Sequence, residues 1–365
     1  MPPERPQSCV RDLGAAADCD GDRTVSLLRG KAKRPEPFSR LKWMIPLHSH
    51  PAIFPQASGS QMTDWISVEP HVESATSRFE FPLEELAAGN IPALVVRNAW
   101  SKENCQNLIA RLVEKELLYD PFESIPPKFQ EQLIPEGYFR EGKSFVPSYA
   151  WQEQKITGRN RIDIGSSLGY RGSDQEAFLA HSAETQQLFN GLFADHPNPI
   201  QLLYKSLEAY SVNKKVVTAY EPDGRKYGPA IIRAHYGGYT YKPHFDSVRL
   251  REKRDNYAVH QFEHQFAGVL VLQNSTADGK TAQGILHQCL WQPEVDPYLK
   301  AGTFPEYAAE KNLSSVEVAL EPGDLYFFNT RGIHEVPGVA GDLPRIVLAT
   351  FIGFSSHRDE IFVWS

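Results

Sequence analysis

From Lys214 onward the chain is written in short apolar runs separated by turn residues, and this alternation limits the fold more than any other feature. Residues 216–220, 230–236, 267–273, 284–291, 316–320, 324–328 and 345–354 each have strand length and are set off by turn residues. Many short strands with turn signals between them predict an all-β sandwich or barrel. Upstream the pattern is different. Ser101 is a good N-cap for a helix carrying Leu108, Ile109, Leu112, Val113 and Leu117 at helical spacing. Residues 175–192 and 199–210 predict two further helices whose apolar stripes would back a sheet. Residues 79–86 and 91–96 read as strand or extended segments, and the Pro-rich 120–135 as a loop.

Within the strand-rich half, residues 233–246 read Arg-Ala-His-Tyr-Gly-Gly-Tyr-Thr-Tyr-Lys-Pro-His-Phe-Asp. Side chains at i and i+2 of a strand share a face. One strand end can therefore offer the His244 imidazole and the Asp246 carboxylate to a single ion while Phe245 turns away. A third ligand is available in His334, within Thr-Arg-Gly-Ile-His-Glu-Val-Pro-Gly. Two imidazoles and a carboxylate that leave the opposite face of an ion open suit non-heme Fe(II). Taken singly, His244 reads as well as a strand-end residue and His334 as a turn cap; the combination points to metal. Arg345 opens the apolar run 346–351, a buried strand on its composition. A guanidinium there presents a planar fork to a carboxylate, and a bound anion would relieve the cost of burying it. The alternatives are an ion pair with a nearby acid, or Arg233 as the cation that binds the anion.

Tyr236, Gly238, Tyr241, His244, Asp246, His334 and Arg345, with the turn Pro322-Gly323-Asp324, stand in a familiar order. From about residue 216 to 354 the chain resembles the Fe(II)/2-oxoglutarate-dependent dioxygenases, within them the prolyl-4-hydroxylase-like branch. The resemblance implies a mainly β fold with packed helices: a double-stranded β-helix (jelly roll) core at 214–356, an N-terminal helical part at 99–213, and one catalytic domain over 61–365. It implies Fe(II), 2-oxoglutarate and O2 as cofactors, with ascorbate as a supporting reductant. His244, Asp246 and His334 would hold the metal, and Arg345 the distal carboxylate of 2-oxoglutarate. Many members place a hydroxyl residue two positions after this arginine. Val347 stands there, so Tyr236, whose phenol can donate, is the expected replacement. Tyr241 borders the substrate, hydrogen-bonds the keto acid, or packs as an ordinary aromatic. Related halogenases replace the carboxylate by a small residue so that chloride can bind. Asp246 therefore implies hydroxylation, desaturation or oxidative cyclisation at an unactivated C–H bond, with release of succinate and CO2.

The expected substrate is a small metabolite of natural product biosynthesis, amino-acid-derived or carboxylate-bearing. The basic run Arg249-Leu250-Arg251-Glu252-Lys253-Arg254 leaves directly from the iron strand. It reads as a solvated loop or as a lid whose cations meet an acidic substrate. A protein prolyl hydroxylase is the alternative enzyme, and a metal-binding jelly roll without catalysis the alternative outside enzymes.

A net charge of −7 argues against a nucleic-acid partner. No apolar stretch approaches the ~20 residues that span a bilayer. Cys9, Cys19, Cys105 and Cys289 form no C-x-x-C pair, which suits a reducing, cytoplasmic setting. Residues 1–60 read as a poorly ordered extension. Its Arg and Ser raise a transit peptide, which Asp12, Asp18, Asp20 and Asp22 oppose. His48-Ser49-His50 reads as a solvated pair, and 260–264, with His260 and His264, as loop-to-strand sequence that binds no metal. The sequence leaves the oligomeric state open.

Overall fold

A computed structural model describes residues 65–69, 79–130 and 160–365. The extension 1–60, the His48–His50 pair and the end of the 120–135 loop lie outside the described residues.

The strand alternation resolves into two facing sheets. In the eight-stranded sheet, β1 (Leu94–Val96), β11 (Leu325–Asn329), β6 (His264–Gln273), β13 (Arg345–Phe354), β14 (Glu360–Trp364) and β3 (Lys215–Thr218) follow one another. The first half of β13 also pairs with β4 (Ile231–His235), which pairs in turn with β2 (Arg161–Ile164). The second sheet runs β10 (Ser315–Val318), β9 (Gly284–Leu290), β12 (Gly332–Val336), β5 (Tyr241–His244). A hairpin of β7 (Thr276–Ala277) and β8 (Lys280–Thr281) stands apart. Among the described strands all ladders are antiparallel except β14 with β3, and Val68 makes an isolated parallel bridge to Leu94 of β1. Two antiparallel sheets facing each other, with helices on the outer face of the larger, make the jelly-roll core. Two of its strands, β1 and β2, come from upstream of residue 214.

The large sheet is buried on both faces, which explains the near-continuous apolar runs in β6 and β13. Phe266, Leu270 and Leu272 of β6, with Ile346, Leu348 and Ile352 of β13, face the helices. They meet Leu108 and Leu112 of α2 (Lys102–Glu114), Phe189 of α5 (Gln175–Phe193), and Leu203 and Leu207 of α6 (Pro199–Tyr210). The alternate residues Ala267, Val269, Val271 and Val347 face the second sheet. Each of these helices starts as its sequence dictates: Ser101, Asp174 and Asn198 accept hydrogen bonds from the first-turn amides.

Residues 79–86 are not a strand. Pro82–Ala88 is a helix, α1, preceding α2 in the chain. Pro82 sits at the first turn, Glu84 and Glu85 complement the helix N-terminus, and Gly89 closes it at φ 76°. Leu83, Leu86 and Ala87 are buried at helical spacing. Short helices α3 (Pro127–Gln130), α4 (Leu168–Arg171), α7 (Asp296–Ala301) and α8 (Phe304–Glu310) fill the connections. Among the described residues no helix is long and apolar enough to cross a membrane.

Candidate metal and keto-acid centre

Register brings the two histidines together. In the β12–β5 ladder His334 stands directly opposite His244, with ring centroids 4.2 Å apart. The chain then leaves β5, and Thr330 braces the departure: Asp246 N donates to Thr330 O at 2.9 Å, while Thr330 Oγ1 donates to Asp246 O at 2.9 Å. The Asp246 carboxylate is thereby returned to the same side as both rings. Its Oδ2 lies 3.7 Å from His244 Nε2 and 3.6 Å from His334 Nε2. The donor atoms of these three residues lie within 4.8 Å of one another.

Hydrogen bonds fix which ring nitrogen faces the cluster. His244 Nδ1 donates to Lys242 O at 2.7 Å and His334 Nδ1 to Gly332 O at 2.8 Å. Both Nε2 atoms are left as lone-pair donors, the arrangement a metal-ligating imidazole uses. Burial presses the His244 imidazolium down to about 3, aided by His334, so the ring is neutral at physiological pH. For Asp246, burial raises the carboxyl, but His334, His244 and Arg251 outweigh it and hold the group below the usual carboxylate range. Two imidazoles and one carboxylate converging on one point fit a divalent ion with open coordination positions.

Arg251 was not singled out in the sequence beyond its place in the basic run. Its Nη1 donates to Asp246 Oδ1 and to Phe245 O, both at 2.7 Å. One carboxylate oxygen is occupied by the arginine and the other faces the imidazoles. The rest of the run also folds back: Arg249 donates to Phe262 O at 3.2 Å, and Arg254 faces Glu252 at 4.0 Å. These three arginines face protein groups.

The triad opens into a cavity between the sheets. Its walls include Arg233, His235, Tyr241, Tyr326, Arg345 and a broad apolar surface. Arg345 is buried and lies opposite His235 in the β13–β4 ladder. It hydrogen-bonds the Tyr326 side chain, while its Nε is buried without a hydrogen-bond partner. A guanidinium with unspent donors in a cavity beside a metal triad fits the distal carboxylate of a keto acid. Tyr241 is on the cavity wall, its hydroxyl 2.9 Å from His235 Nε2 and its ring 5.9 Å from that of His244.

Tyr236 is placed elsewhere. Arg233 and His235 face the cavity, so strand parity turns Tyr236 to the opposite side of the sheet. There it stacks on Tyr119 at 4.0 Å and donates its hydroxyl to Tyr119 O at 2.9 Å. It is a core residue under the helical layer and cannot replace the missing hydroxyl at Val347. His235 and Tyr326 are the polar groups that the sequence reading passed over. The alternation Arg233, Ala234, His235 carries the signal for the first; Tyr326 lies hidden in an apolar run.

A comparison with curated proteins found no match. Among solved structures the chain is similar to an N-substituted L-amino acid dioxygenase from Burkholderia ambifaria AMMD, in complex with alpha-KG. That likeness has 13% identity and a TM-score of 0.46 over 78% of this chain and 90% of that one. It is also similar to the non-heme alpha ketoglutarate dependent epimerase SnoN from nogalamycin biosynthesis, with 15% identity and a TM-score of 0.36 over 76% and 84%. HygX from Streptomyces hygroscopicus, with nickel and 2-oxoglutarate bound, gives 10% identity and a TM-score of 0.36 over 76% and 88%. The family model described as carrier-protein-independent halogenase WelO5 matches residues 65–365, a span that includes both sheets, the triad and Arg345. The chain therefore belongs to the WelO5 family and is a non-heme Fe(II)/2-oxoglutarate-dependent enzyme.

Proposed function

We propose that this enzyme oxidises an unactivated C–H bond of a small, amino-acid-derived or otherwise carboxylate-bearing metabolite, by hydroxylation, desaturation or ring closure rather than halogenation. The observation that carries this reading is the Asp246 carboxylate, gripped by Arg251 at 2.7 Å on one oxygen and facing His244 and His334 with the other. In related halogenases a small residue at this point leaves room for chloride. Here a carboxylate fills the position and is held there.

In this reading His244, Asp246 and His334 hold Fe(II), and Arg345 receives the distal carboxylate of 2-oxoglutarate. When bound, iron and the keto acid supply, with O2, an oxidant for carbon–hydrogen bonds, and succinate and CO2 leave. The chain's own residues do the rest. The backbone carbonyls of Lys242 and Gly332 keep both imidazoles turned inward. Ala267, Val269, Phe328 and Val347 line the cavity and exclude water from the reacting carbon. The Tyr241–His235 hydrogen bond stiffens the wall beside the triad.

Anaerobic Fe(II) with 2-oxoglutarate should give a weak visible charge-transfer band, and bromide added to that complex should leave the band unchanged. Substrate-dependent succinate release should vanish in His244→Ala. A bromide-dependent shift of the band would establish an open halide position and overturn the non-halogenating reading. The family's name favours halogenation as the second reading, and the same titration decides between the two.

A further inference from the structure

Strands β2, β4 and β13 bring three guanidiniums to one side of the barrel. Arg161 is engaged: its Nε and Nη2 hold the two oxygens of Asp163 at 3.0 and 2.7 Å. Arg233 and Arg345 face the cavity from paired strands, Arg345 opposite His235 and Arg233 opposite Val347. The Nε of each is buried without a hydrogen-bond partner. The acid that faces Arg233 is Asp163, 3.9 Å away and already held by Arg161.

Charge then has to be balanced. Among the described side chains lining the cavity, Asp246 is the one acid, and it is committed to Arg251 and the metal. The distal end of 2-oxoglutarate brings one negative charge, enough for one guanidinium. Asp163 is shared between Arg161 and Arg233, and Arg233 Nε stays buried without a hydrogen-bond partner, so a further anion meeting Arg233 would lower the cost of its burial. His235, between the two, reports the same excess. Burial, then Arg161, Arg345 and Arg233, push its imidazolium well below the ordinary range, so it cannot add to the positive charge. The two arginines also differ in access: Arg345 is buried, whereas Arg233 is half-buried.

We infer that Arg233 is the receptor for a carboxylate on the substrate that is oxidised, so that the cavity holds two carboxylates, one on Arg345 from the keto acid and one on Arg233. The inference rests on the iron and 2-oxoglutarate reading of the triad. It defines the substrate as an apolar body of a size to lie against Val269, Phe328 and Val347, with one carboxylate directed toward β4. Esters and amides of the same skeleton are excluded as good substrates. No bond is made or broken at Arg233; it positions and selects.

The test uses the full chain loaded anaerobically with Mn(II) and 2-oxoglutarate. Acetate, butyrate and 3-phenylpropanoate are titrated by calorimetry against their amides. The wild type should bind at least one of these acids about tenfold or more tightly than its amide, as a charge-assisted pair requires. Arg233→Gln should abolish that preference while 2-oxoglutarate affinity stays within about twofold, and Arg345→Gln should weaken 2-oxoglutarate itself about tenfold or more. Arg233→Lys keeps the charge without the fork and should retain a reduced preference, which separates loss of recognition from loss of folding. The inference is overturned if no acid is preferred over its amide in the wild type, if the preference survives Arg233→Gln, or if Arg233→Gln instead loses 2-oxoglutarate. Failure of the underlying oxygenase reading looks different: the wild type then shows no Fe(II)–2-oxoglutarate charge-transfer band at all.

Discussion

Asp246 is engaged at both oxygens, with the imidazoles facing one and Arg251 holding the other. An arginine that holds the outer oxygen orients the ligand. Its removal should weaken metal binding about 10- to 100-fold, the range seen when such supporting contacts are lost. Cobalt(II) titration of Arg251→Ala, followed by absorption, would show it, and unchanged affinity would remove Arg251 from the site. His244 sets a pH dependence. An imidazole titrates near 6.5 when unfolded, whereas burial holds folded His244 down to about 3. Between those values the unfolded chain binds the extra proton, so stability of the metal-free protein should fall as pH drops through that window. Melting curves at pH 7 and pH 5 should differ in that direction, and His244→Gln should lessen the difference. At this scale the triad was legible because His-x-Asp on a strand and a distal histidine are chemistry written in residue types. Tyr236 was misplaced through parity. Arg233 and His235 share a face, and Tyr236, the residue that follows β4, turns to the other.

Elements were legible where caps and periodicity agreed. The Asn198 side chain accepts from the amides of Ile200 and Gln201 at 2.9 and 3.3 Å. Asn198→Ala should therefore cost about 1 kcal/mol, measurable by urea denaturation. The 79–86 segment shows the reverse case: apolar residues in a short stretch satisfy a strand or a helix, and Pro82 with Gly89 decides for the helix. The ends of β5 and β12 carry a tighter constraint. A Cβ on Gly338 would collide with the Gly238 carbonyl, itself in a residue at φ 75°. Gly338→Ala should spread the two strands that carry His244 and His334. Metal affinity should then fall more than fold stability does, a pairing that cobalt titration and thermal melting can resolve.

Across the whole molecule, the segment before α2 is stitched to the core through Asp324, which follows the Pro322-Gly323 turn. This buried carboxylate accepts from Asn98 N at 2.9 Å, Glu321 N at 2.9 Å and Arg97 Nη1 at 2.8 Å. Trp100 N also donates to Gly323 O at 3.0 Å. Asp324→Ala strands the Asn98 and Glu321 amides, while Arg97 keeps Ala319 O and Glu69, and should destabilise the fold by about 2 kcal/mol, seen as a lower denaturant midpoint with an unchanged slope. The turn's order in the sequence was visible; its service as an anchor for a segment far upstream was not.

Residue types and their local periods determined by themselves that this chain builds capped helices on a strand-rich core and carries two imidazoles and one carboxylate suited to iron, with a guanidinium opening a buried strand; the keto acid was implied by the family resemblance. Tertiary structure alone decided the rest: the ladder that sets His334 opposite His244, the return of Arg251 onto Asp246, the recruitment of β1 and β2 into the large sheet, and the joint exposure of Arg233 and Arg345 to one cavity. The division has a physical cause. Capping and amphipathic period act within a few residues of chain, whereas register and the pairing of charges are settled between segments that meet only after the sheets have closed.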